Sequence, residues 1–94
     1  MISVVAKIKV KDGQQAGFEE VALSLAEAVN KNEEGCLFYA LHKSDDPTEY
    51  VFVERYTDMD AIEAHRESAH FKELGRKMGA FMDGRPDIMR VEQI

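Results

Sequence analysis

Ninety-four residues allow one domain and leave no room for a second. Apolar residues make up 45% of the chain and charged residues 32%, which describes a globular protein and excludes a disordered one. The formal charge is −6, with lysines and arginines scattered among more numerous acids. Nucleic acid and anionic membrane, which both need a basic face, are therefore not expected as partners.

Ile2 to Val10 alternates Ile2, Val4, Ala6, Ile8 and Val10 against Ser3, Val5, Lys7 and Lys9, the period of a strand. Its apolar start, Met1 to Ala6, ends at Lys7 and is too short for a signal peptide or a membrane span, so the chain reads as cytoplasmic. Lys11-Asp12-Gly13 breaks the pattern, and Asp12 or Gly13 can start a helix. From Gln14 to about Asn30, Phe18, Val21, Ala22, Leu25, Ala28 and Val29 recur at three and four, one continuous apolar stripe. The helix dissolves in Lys31-Asn32-Glu33-Glu34-Gly35, where Gly35 turns the chain into the next strand.

Cys36 to Lys43 and Glu49 to Thr57 are rich in aromatic and β-branched residues, and Ser44-Asp45-Asp46-Pro47-Thr48 between them favours a turn. The pair predicts a β-hairpin, apolar on both faces, so both faces of its sheet must be covered. Helices of so small a domain cover one face, and a second copy of the chain is expected on the other. Lone Cys36 forms no internal disulfide and fits a reducing compartment; inside an apolar strand it reads as a buried, inert thiol.

Asp58 caps a short helix with Met59 and Ile62 on its inner edge, and His65 continues that edge. A second helix starts near Ser68 and turns Phe71, Leu74, Met78, Phe81 and Met82 inward, until Asp83-Gly84-Arg85-Pro86 stops it. Ile88 to Ile94 makes a last strand. The order βαββαβ is the ferredoxin-like α+β arrangement, a four-stranded antiparallel sheet with helices on one face. The bare apolar face predicts a dimer of face-to-face sheets.

Glu54 stands at an apolar strand position, with His65 and His70 on the helices that follow. A carboxylate in a strand beneath histidines on an overlying helix is how a buried proton acceptor is built. Glu54, His65 and His70 also form a two-histidine, one-carboxylate set of the kind that binds metals. Residues five apart on one helix lie about 140° around its axis, so convergence on a metal needs a break near Ser68. No metal is expected.

Glu33-Glu34-Gly35-Cys36-Leu37 with Tyr39, Glu54-x-Tyr56, and His65 followed by His70-Phe71 together resemble the antibiotic biosynthesis monooxygenase family, over nearly the whole chain. The resemblance implies a dimeric α+β barrel, with a pocket between sheet and helices in each protomer of the homodimer. It implies oxidation of a quinol or phenol-like small molecule by molecular oxygen, with no flavin, haem or metal cofactor. Deprotonation activates such a substrate, because a phenolate is electron-rich enough to reduce oxygen. His65 is then the expected proton acceptor, with Glu54 holding its tautomer. His70 and Tyr56 would position the substrate, and Phe38, Tyr39, Phe52, Phe71 and Met78 would wall it. Tyr56 stands where several members carry tryptophan, and the chain has none, which favours a small substrate.

Glu54-Arg55-Tyr56, His65, His70-Phe71-Lys72 and Phe81-Met82-Asp83-Gly84 are similar to a non-oxygenase branch that processes phosphorylated autoinducer-2. There the same histidines serve as acid and base, with Arg55, Arg66 and Lys72 as phosphate partners. Haem-degrading relatives of the fold carry a tryptophan and a helix histidine that this chain lacks; Arg76, Lys77 and Met78 occupy that helix. A small-molecule-binding or stress-response protein without catalysis is the alternative of a different class. His42 reads as a bystander.

Overall fold

The computed structural model describes residues 1–94. The elements are β1 (Ile2–Lys9), α1 (Gln15–Asn32), β2 (Cys36–Lys43), β3 (Glu49–Tyr56), α2 (Met59–Glu67), α3 (Ala69–Gly79) and β4 (Asp87–Glu92). All strand pairs are antiparallel in the order β2-β3-β1-β4, the ferredoxin-like sheet that the hydrophobic pattern predicts.

Alternation decides which face each strand buries. Ile2, Val4, Ala6 and Ile8 of β1 and Tyr50, Phe52, Glu54 and Tyr56 of β3 all point beneath the helices. The stripe on α1 lands on this face, with Phe18, Ala22, Leu25 and Val29 wholly buried. Phe18 meets the Tyr50 ring at 4.9 Å, which anchors the helix across β3.

The opposite face carries Val5, Val51, Val53, Ala40, Phe38, Met89 and Val91, with no helix against them. β2 reaches this arrangement through a bulge. Cys36 pairs with Tyr56 and Phe38 with Arg55, leaving Leu37 as the extra residue. Tyr39 therefore sits opposite Glu54 on the helix-covered face, and Phe38 points to the other side, 44% exposed. The expectation that Phe38 walls the pocket is corrected by this register. Cys36 is half-buried rather than buried. Burial pushes its thiol up to about 11, so it stays protonated and unreactive at neutral pH.

The break at Ser68 is as expected. Ser68 closes α2 and caps α3, its hydroxyl accepting from Phe71 N–H at 3.2 Å. Asp58 caps α2 through Ala61 N–H at 2.9 Å. At two other ends the chain differs from the expectation. α1 starts after Gln14, which offers no side-chain cap, because Gly13 at φ +83° turns the backbone first. α3 stops at Gly79, before the Asp83-to-Pro86 signal. There Met82 bridges Val10, and Asp83 N–H donates to the Lys9 carbonyl, so pairing with the end of β1 takes the backbone out of the helix.

Candidate active site

Where α2 and α3 lean over the sheet they leave a cavity of about 740 Å³, of the size that holds a small organic ligand. Its floor is Val4, Ala6, Ile8, Phe52, Glu54 and Tyr56, and Tyr39 closes one side. Ile62, His65, Phe71 and Met78 come down from the helices. Of the nine residues expected in the site, seven line it: Glu54, His65, Tyr39, Phe52, Tyr56, Phe71 and Met78. Phe38 lies on the far face of the sheet, and His70 opens elsewhere.

His65 is 5% exposed and sits among aromatic rings, 4.5 Å from Phe71, 5.3 Å from Tyr39 and 5.7 Å from Tyr56 between centroids. Ile62 and His65 are the buried face of α2, the i, i+3 pair read from the sequence. The residue that orients the imidazole is not Glu54. Both carboxylate oxygens of Glu33 lie 3.0 Å from His65 Nδ1, and the expectation that Glu54 holds the tautomer is corrected accordingly. Glu33 Oε2 also lies 2.5 Å from His70 Nε2. A carboxylate only accepts, so each imidazole presents an N–H to it. His65 Nδ1 is thereby committed as a donor. Its Nε2 has no protein partner and is left to the cavity that the residue lines.

Glu33 lies just beyond the end of α1, whose last turn its own N–H closes by donating to Val29 O. Gly35 follows because the backbone passes close to α2. A Cβ there would stand 2.6 Å from Ala61 Cβ, so glycine is what lets Glu33 reach His65. In the sequence Glu33 reads as part of a solvated charge run, and no local periodicity separates it from Glu34. The available signal was the run Glu33-Glu34-Gly35-Cys36-Leu37, one of the segments on which the family resemblance rests.

The electrostatics set two acid-base groups apart. Burial pushes Glu54 up to about 7, opposed by the hydrogen bond it accepts from Tyr56 Oη at 2.5 Å and reinforced by the charge of Glu33. His65 moves the other way: burial lowers it, and Glu33 only partly offsets this. At neutral pH the imidazole is an unprotonated acceptor, and Glu54 is poised to give or take a proton. Burial, then the Glu54 charge, push the Tyr39 and Tyr56 phenols up, so both remain neutral donors.

Glu33 and His70 face a second, shallower depression with Gly35, Cys36, Ala61 and Ser68, which shares no residue with the first. His70 is thus placed to touch solvent on the other side of Glu33, not the substrate as expected. The donor atoms of Glu33, His65 and His70 lie within 4.8 Å of one another, the set that could hold a divalent metal. Glu54 is not part of it. The hydrogen bonds to Glu33 satisfy these groups without an ion. Of the expected phosphate partners, Arg66 and Lys72 line the cavity, whereas Arg55 pairs Phe38 on the outer face and donates to Gln93 Oε1 at 2.7 Å.

Comparison with known proteins places these features. The antibiotic biosynthesis monooxygenase family model matches residues 1–77. The chain is 28% identical to a Bacillus subtilis (strain 168) protein named "Putative monooxygenase YcnE", over 98% of this chain and 97% of that one. It is 40% identical to the crystal structure of a "putative antibiotic biosynthesis monooxygenase" from Caulobacter crescentus CB15, with a TM-score of 0.95 over 99% of this chain and 89% of that chain. Rv0793 from Mycobacterium tuberculosis, at 22% identity and a TM-score of 0.90 over 99% and 94% of the two chains, shares the fold.

Proposed function

Because this chain belongs to the antibiotic biosynthesis monooxygenase family, we propose that its cavity oxidises a small quinol or phenol with molecular oxygen, using no cofactor. The observation that carries the reading is the His65 imidazole, fixed by Glu33 at Nδ1 and open to the cavity at Nε2. It is the base-and-orienter pair that general-base catalysis needs.

In this reading the substrate hydroxyl enters beside Nε2 and gives up its proton. The phenolate reduces oxygen by one electron, and the radical pair combines at a ring carbon. Loss of water from the resulting hydroperoxide leaves a quinone. One oxygen atom stays in the product and the other leaves as water, so the substrate supplies all four electrons and no external reductant enters. Apolar walls keep bulk water from the anion. The protonated form of Glu54, held in place by the hydrogen bond from Tyr56 Oη–H, donates to the developing oxyanion. The proton stays on the His65 imidazolium, which Glu33 stabilises through Nδ1–H, and returns from Nε2 to the hydroperoxide oxygen that leaves as water, which restores the base.

The assembly that fits is a homodimer through the outer sheet face. Val5, Val53, Phe38, Met89 and Val91 are left there without cover, and Arg55 Nε is buried with no acceptor.

Incubation with 1,4-naphthohydroquinone under air and under nitrogen tests the oxygenase. Protein-dependent oxygen uptake is expected, and autoxidation-level uptake overturns it. Arg66 and Lys72 at the cavity support a second reading, isomerisation of a small phosphorylated keto sugar, in which turnover proceeds equally under nitrogen.

A further inference from the structure

We propose that the cavity takes a small molecule carrying a carboxylate or phosphate, which Arg66, Lys72, Arg76 and Arg90 hold at the cavity mouth. The proposal rests on the reading that this cavity is the reaction site and adds the charge of the substrate.

The chain as a whole has 18 acids against 12 lysines and arginines. The cavity reverses that balance, because four cations line it and the one acid among its lining residues is Glu54. Arg66 lies in the last turn of α2, and Lys72 and Arg76 stand one turn apart on α3. Arg90 faces them from β4, where it pairs with Val4 of the cavity floor. The mouth is therefore cationic on both walls.

None of the four is neutralised. Lys9, Lys43 and Lys77 pair with Asp46, Glu19 and Glu73, whereas these four make no ion pair and no side-chain hydrogen bond. Glu67 and Glu73, their sequence neighbours, are not among the lining residues. Like charges one helical turn apart repel each other, and an anion between the walls relieves that repulsion. Three guanidiniums suit the planar, bidentate recognition of carboxylate or phosphate. His65 and Glu54 are buried and the cations exposed, so the ligand carries its acidic hydroxyl inward and its anion outward.

Calorimetric titration under nitrogen compares hydroquinone with 2,5-dihydroxybenzoate and 4-hydroxyphenyl phosphate. The two anions are expected to bind about 10-fold or more tighter than the neutral diol, and the preference shrinks as salt rises. Arg76→Gln with Arg90→Gln, checked for fold by circular dichroism, brings the anion-to-neutral ratio to within about 3-fold, while Lys77→Gln on the same helix preserves it. Equal affinities, or a preference that survives the double substitution, overturn the proposal. Oxygen uptake is read separately. An anion preference without uptake sinks the oxygenase and keeps this site, and uptake without the preference does the reverse.

Discussion

Substituting Glu33 by glutamine tests the chemistry at its hinge. In the native chain two imidazole N–H groups converge on this carboxylate, His65 Nδ1 at 3.0 Å from both oxygens and His70 Nε2 at 2.5 Å from one. Glutamine keeps one acceptor oxygen and replaces the other by an NH₂ donor, so the two N–H groups compete for a single acceptor. Either one hydrogen bond is lost, at about 1.5–3 kcal/mol for a charge-assisted bond in a buried setting, or one imidazole changes tautomer. If His65 changes, Nε2 presents a hydrogen to the cavity instead of a lone pair. The base is then gone, and turnover falls by about 10²–10⁴-fold, the cost of a wrongly held tautomer in a catalytic triad. Glu33 raises both His65 and Glu54, so its neutralisation moves both titrations, and any limb of the pH–rate profile they govern, toward acid. Long-range ¹H–¹⁵N correlation spectra report the tautomer directly, and oxygen uptake reports the rate on protein shown to be folded. An unchanged tautomer together with uptake within about 3-fold of the native protein would refute the assignment of His65 as base.

Glu54→Gln is expected to stabilise the protein at high pH. The folded value is raised from 4.5 to about 7, so the fold disfavours the ionised form and stability is lost as pH climbs between those values. At pH 8 the variant should gain up to about 3 kcal/mol by urea titration, and near pH 4 the two proteins should match. His65 has the opposite sign. Its lowered folded value means that stability is lost as pH falls below 6.5, and His65→Gln removes that dependence in melts recorded from pH 7 to 5. Phe18→Ala empties the centre of the α1 stripe, fully buried against Tyr50, and should cost about 3–5 kcal/mol in chemical denaturation. If the proposed dimer forms through the bare sheet face, analytical ultracentrifugation gives twice the chain mass and Val53→Lys halves it, whereas a native monomer or an unchanged mass in the variant overturns that interface.

Period-two alternation was enough to read the architecture. Ile2-Val4-Ala6-Ile8 names the buried face of β1, and the stripe from Phe18 to Val29 names the face of α1, whereas β3 is apolar on both faces and its helix-covered side is set by pairing with β1. Glu54 was legible for the same reason, as a carboxylate on the buried side of an apolar strand, and His65 because it extends the Ile62 edge. Glu33 was not, since its partners lie 32 and 37 residues away and only tertiary folding brings them together. Arg76 and Arg90 look like ordinary surface cations until α3 and β4 are set across one opening. The choice between Phe38 and Tyr39 depended on a bulge, which alternating apolar residues on both faces conceal.

That bulge at Leu37 gives the loop-proximal part of β2 a parity problem and its solution. Cys36 and Tyr39 are an odd number of steps apart, yet both are drawn toward the helices, which a regular pleat forbids. One additional residue restores the count. Leaving Leu37 out of the pairing, rather than the identity of its side chain, thus selects a phenol over a plain phenyl ring as the neighbour of Glu54. Deleting Leu37 leaves Cys36 and Tyr39 two steps apart, which a regular pleat places on one face, so the shortened strand should lose the kink and keep the same chamber wall.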